Sequence, residues 1–134
     1  MLFGRFFKKT TPLTGAPAVR RQKTYSAQSG YVYQYFYEGQ RRYHKDDEAG
    51  VEFVFDVSAD RKTSDPVSVF VSDEAVVAWE RKNGRELVPA ERYAAAKMAL
   101  FQAFDEREHP SQMRQDIRVR AADMEAILAN LGID

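Results

Sequence analysis

"GYVYQYFYEGQRRYH", residues 30–44, holds five of the seven tyrosines in this 134-residue chain, and four of them, Tyr31, Tyr33, Tyr35 and Tyr37, alternate. Side chains along a strand point to opposite faces in turn, so alternation places these four rings in one row. Such a row is either a stacking platform open to solvent or the underside of a sheet that packs on its own helices. The choice between the two decides the fold.

Neighbouring segments supply the test. "VEFVFDV" at 51–57 and "VSVFV" at 67–71 also alternate, with β-branched and aromatic residues bounded by polar turns. Their odd positions, Val51, Phe53, Phe55, Val57, Val67, Val69 and Val71, are all apolar. Aligned with the tyrosine row, they predict one continuous apolar face that needs a cover. The first strand is expected to run past a bulge at Gly39 towards Tyr43, because glycine inside a strand often marks one. "HKDDEAG" at 44–50 reads as the connection to the second strand.

The cover follows in the chain. Ser72 offers an N-cap, Asp73 and Glu74 suit the positive end of a helix dipole, and Asn83-Gly84 supplies a stop, which predicts a helix over 73–83. Pro89 opens a second, alanine-rich helix whose Tyr93, Ala96, Leu100, Phe101 and Phe104 fall on one arc, with Gln102 and Ala95 facing away. After His109-Pro110-Ser111, Met113, Gln115, Ile117 and Val119 alternate as a short further strand. A last helix then shows Met124, Ile127, Leu128 and Leu131 as a stripe and ends at Gly132. The expected fold class is α+β: an antiparallel β-meander of three to four strands with helices packed on one face.

Residues 1–24 lack such a period and contain Gly4, Pro12, Gly15 and Pro17, so they read as a flexible basic arm ahead of a single domain over 25–134. Arg5, Lys8, Lys9, Arg20, Arg21 and Lys23 give the arm six positive charges and no acid, which leaves a body of charge −6 in a chain that is neutral overall. A globally basic nucleic-acid binder is therefore not expected. Met1, Leu2, Phe3, Phe6 and Phe7 around Arg5 could form one apolar turn; a frayed terminus is the simpler reading, ahead of docking on the body or a partner and of weak binding to a membrane surface. No run approaches the length of a membrane span, and "MLFGRFFKK" lacks a secretory h-region. Without cysteine there is no disulfide framework and no thiolate chemistry, so the expected location is cytoplasmic.

No catalytic signature stands out. His44 beside Asp46, Asp47 and Glu48 lacks the pattern of a calcium loop, and His109 reads as a helix-end cap; no metal and no cofactor are expected. The loop at 58–66, "SADRKTSDP", gathers hydroxyls, two acids and Arg61-Lys62, but no Gly-rich turn opens a helix there, so turn chemistry is the simpler reading.

Three functions remain on this reading. The even positions Val32, Phe36, Val54 and Phe70 would form an apolar patch on the second sheet face, which favours a non-enzymatic binding module, a homodimer or a protein partner. The basic arm with Arg114, Arg118 and Arg120 on the last strand would instead suit nucleic acid or an anionic surface. Tyr31, Tyr37, Tyr93 and Lys97 would line a small-ligand pocket, or an active site, between sheet and helix. A lysine among aromatic rings there either snorkels to water or is shifted by burial. Buried phenols need partners, so the ends of the tyrosine row are the places to look for a ligand.

Overall fold

A computed structural model describes residues 11–134. Five strands, β1 (Lys23–Ser26), β2 (Val32–Lys45), β3 (Glu48–Ser58), β4 (Asp65–Ser72) and β5 (Ile117–Val119), form one sheet in the order β1-β2-β3-β4-β5. The first four pair antiparallel, and β5 lies parallel to β4. Helices α1 (Asp73–Asn83), α2 (Pro89–Glu106) and α3 (Ala121–Asn130), with a 3-10 helix at Pro110–Arg114, complete an α+β fold. The apolar turn expected at Met1–Phe7 lies outside the described residues.

The odd-position face of β2 to β4 is the core. Tyr33, Tyr35, Phe53, Phe55, Val57, Val67, Val69 and Val71 join Ile117 and Val119 against Trp79, Leu100, Phe104, Met124, Ile127 and Leu128. Tyr33 stacks on Phe104 at 4.1 Å between ring centroids, 10° from parallel. That contact turns the tyrosine row towards the helices. Helix α1 begins where its cap predicts, with the Ser72 hydroxyl accepting from the Ala75 N–H at 3.1 Å, and ends at Gly84 in the left-handed region, φ 70°.

Ala95, expected to face away, is fully buried. Alanines 95, 99 and 103 form a second buried stripe on α2, and Ala99 and Ala103 lie near Ile117 and Ile127. The small side chains let sheet and helix approach α2 from two sides.

The sheet differs from the predicted meander in two ways, an added edge strand and a parallel last strand. Residues 23 and 24 belong to β1 rather than to an arm: Lys23 pairs with Tyr35 and Thr24 with Gln34. Thr14 adds a further bridge to Gln40, its N–H donating at 2.9 Å and its carbonyl accepting at 2.7 Å. The last strand is parallel to β4, not a continuation of the meander. The two long helices between β4 and β5 return the chain to the end where β4 began, as a crossover connection does.

The β2–β3 connection is also tighter than "HKDDEAG" suggests. Asp46 and Asp47 both have positive φ, 46° and 64°, which is the two-residue turn that matches strand twist, and the ladder extends to Lys45↔Glu48. The bulge at Gly39 is present, with φ 123° and a register shift between Tyr37 and Gly39. Beyond it the parity of β2 reverses, so Arg41 and Tyr43 point to the outer face. Arg41 there pairs with Glu52.

Candidate functional site

The sheet end formed by the β1–β2 turn, the β3–β4 loop and the 3-10 helix contains a cleft of about 380 Å³. Its wall includes Tyr31 just before β2, Tyr33 from β2, Val57 from β3, Val67 from β4, and His109, Met113 and Arg114 from the segment after α2. Asp60, Thr63 and Asp65 form the rim on the loop side. Tyr31 is one of the row-end tyrosines singled out from sequence, and Tyr33 is its inner neighbour.

Each wall is built by local chemistry. Tyr25 donates its hydroxyl to Asp105 at 2.8 Å, the Gln28 N–H donates to the same carboxylate at 2.9 Å, and Ser29 donates to the Phe104 carbonyl at 2.7 Å. These bonds pin the β1–β2 turn to the end of α2. On the opposite side the Arg107 guanidinium donates to the carbonyls of Gln112 and Gln115, both at 2.8 Å, and of Asp116 at 3.3 Å. That fork holds the 3-10 helix in place, and its burial pushes Arg107 below the ordinary arginine range.

His109 caps the start of the 3-10 helix rather than the end of α2. Its Nδ1 accepts from the Ser111 N–H at 3.1 Å and lies 2.8 Å from the Ser111 hydroxyl. The ring also meets Tyr31 edge-on at 6.0 Å. Arg114 reaches Asp65 at 3.7 Å, an exposed and weak pair.

The decisive group is Tyr33. Its side chain is fully buried, yet its hydroxyl has no hydrogen-bond partner among the described residues. Burial, with Tyr31 adding a smaller push, raises its pKa above the ordinary phenol value, so the group stays protonated at neutral pH. Buried polar groups are nearly always paired, and leaving one unpaired costs about 1–3 kcal/mol.

The remaining predicted site residues lie apart from this cleft. Tyr37 and Tyr93 meet at 4.7 Å and line a separate depression with Gly15, Pro17 and Pro89. Tyr37 is pushed up to about 12 by burial. Lys97 lies 5.9 Å from the Tyr35 ring and 5.7 Å from that of Phe101; burial first, and Lys23 second, lower its pKa. It stays half-buried, with its ammonium group over the two rings.

Val32, Phe36, Val54 and Phe70 do share the outer face, but only Val32 is exposed, at 42%. The Arg20 guanidinium lies 3.6 Å over Phe36, and Val54 and Phe70 are buried. Arg114, Arg118 and Arg120 are not brought together on one strand. Arg114 sits in the 3-10 helix, Arg120 is the N-cap of α3, and Arg118 on β5 is tied to Asp46 at 2.7 Å and Glu48 at 3.3 Å. No group of three or more metal-ligating side chains occurs among the described residues. No described helix is long and apolar enough to cross a membrane.

Comparison with protein-family models finds no match, and comparisons with curated proteins and with solved structures find none at a significant level. Sequence reasoning missed Tyr33 because its position in the row marks it as core, and nothing in the one-dimensional pattern shows which core phenol lacks a partner. His109 was noticed, but its approach to Tyr31 depends on the fork made by Arg107.

Proposed function

We propose that this protein is a non-catalytic binding module whose cleft at the end of the sheet takes a small, neutral, planar molecule. The observation that carries this reading is the buried, unpartnered hydroxyl of Tyr33, a residue in the wall of a cleft of about 380 Å³. That volume lies within the usual range for small-molecule sites, and a few placed polar groups in an apolar wall are their usual chemistry. Val57, Val67 and Met113 supply the apolar floor, the Tyr31 and His109 rings flank it, and a ligand carbonyl would accept from the Tyr33 O–H.

The Ser111 hydroxyl lies 2.8 Å from His109 Nδ1 in the cleft wall, but that contact belongs to the cap of the 3-10 helix, so the support runs to binding rather than catalysis. Association through the outer sheet face draws less support, because three of its four apolar residues are already covered.

The test uses benzamide, which joins a ring to a carbonyl acceptor, titrated into the ¹⁵N-labelled chain. Amide shifts are expected at residues 31–33, 63–67 and 109–114, and in Tyr33→Phe they should shrink at least about tenfold in affinity, the weight of one buried hydrogen bond. Shifts spread evenly over the surface, or equal in Tyr33→Phe, would sink the reading.

A further inference from the structure

A second cleft lies on the opposite face of the same sheet end. About 410 Å³ in volume, it is lined by Arg20, Gln34, Phe36, Asp56, Ser58 and residues 61–64. Gln34 follows Tyr33 in the chain and points the other way. It too is buried, at 4% exposure, and its Oε1 has no partner among the described residues.

The cleft is also cationic and pre-set. Arg61 and Lys62 make no ion pair among the described residues, whereas Arg20 is held over Phe36 by Glu38 at 3.0 Å and Asp56 at 3.1 Å. Asp60 fixes the loop that carries them. It accepts from the N–H groups of Lys62 and Thr63, both at 2.8 Å, and from the hydroxyls of Thr63 at 3.0 Å and Ser58 at 3.2 Å. Those bonds, the Thr63 N–H foremost, hold the Asp60 carboxyl well below the usual carboxylate range. Arg61 adopts φ 63°, a conformation rare for its type, and its N–H donates to the Ser58 hydroxyl at 2.9 Å. A loop already bent and bonded loses little entropy when it binds.

We propose that this outer cleft binds a phosphate monoester. Its oxygens meet Arg61 and Lys62, since the Ser64 hydroxyl already donates to Asp56 at 3.0 Å, and a hydroxyl or amine on the esterified group donates to Gln34 Oε1. The two requirements select together: a bare anion leaves the buried amide unpartnered, and a neutral polyol leaves the two cations unused. The proposal does not rest on the inner cleft, which shares only Thr63 with this one.

The test titrates the full chain with ribose 5-phosphate, inorganic phosphate and ribose, read by ¹⁵N shifts at residues 58–64 and at the Gln34 side-chain amide. Ribose 5-phosphate should bind at about millimolar or better, and more tightly than inorganic phosphate, with affinity falling as NaCl rises from about 50 to 300 mM. Ribose should not bind. Arg61→Glu with Lys62→Glu, both at exposed positions, should weaken it at least about tenfold, and Gln34→Leu should remove the preference for the sugar ester over inorganic phosphate. No shift at about 10 mM ribose 5-phosphate, equal affinity in the double variant, or a preference unchanged in Gln34→Leu would each overturn the proposal.

Discussion

Two buried polar regions of the same sheet are built on opposite rules. On the outer face Glu52, with its side chain 7% exposed, accepts from Arg41 Nε at 2.7 Å and from the Ser68 hydroxyl at 2.6 Å, and Arg41 also donates to the Thr11 carbonyl at 3.1 Å. At the sheet end Tyr33 and Gln34 are as deeply buried, and neither the phenol nor the amide oxygen has a partner among the described residues. A buried charge without partners would be intolerable, so the fold surrounds Glu52 with donors. A buried phenol or amide left unpaired costs less than a buried charge. On the proposed reading, satisfaction of buried groups separates what this sheet uses for stability from what it would hold ready for binding.

The largest effect expected from that contrast is at Glu52. Glu52→Ala leaves the Arg41 guanidinium with a buried flank and no counter-charge, and stability should fall by about 3 kcal/mol in urea unfolding. A loss under about 1 kcal/mol would mean that the network is ornamental and the contrast false.

The tyrosine row gives a second comparison. Tyr25 is bonded to Asp105 and Tyr37 to Gln40 at 3.4 Å, while burial pushes both Tyr35 and Tyr37 up to about 12. A phenol whose folded pKa is raised keeps its full stabilising share below its unfolded value near 10 and loses it as pH climbs towards 12. Melting temperature should thus be flat up to about pH 10 and drop beyond it, with Tyr35 and Tyr37 among the tyrosines that ionise late by absorbance at 295 nm. Ionisation of every tyrosine near pH 10 without unfolding would show the row to be open to water.

A smaller effect is expected at Gln34, where Leu removes an unmet amide from a buried position. Gln34→Leu should leave the fold intact and raise stability by about 1 kcal/mol, measured by urea unfolding without phosphate present. A fall instead would assign the amide a structural bond.

Much of this architecture was legible in the chain. Parity of Tyr33, Phe53 and Val69 found the core face, Ser72 and Gly84 bounded α1, and Pro89 opened α2, because caps and alternation are local. Gly39 announced its bulge for the same reason. β1 escaped notice because "KTYS" is a four-residue edge strand with only Tyr25 turned inward and no apolar period, and β5 was seen but not its parallel pairing, which only the crossover decides. The candidate sites were legible as materials but not as arrangements. Tyr31 at the row's end and Arg61-Lys62 in a hydroxyl-rich loop were visible, whereas the lack of a partner for Tyr33 and Gln34 is a property of three dimensions.

Tyr33→Phe tests the central claim most directly, because it deletes one oxygen and changes nothing else in the core. If the hydroxyl is held unpaired for a ligand, the variant without ligand should be more stable by about 1–2 kcal/mol, a rise of roughly 3–6 °C in Tm by calorimetry. A lower Tm would contradict the account, showing that the phenol already holds a structural bond in the folded protein.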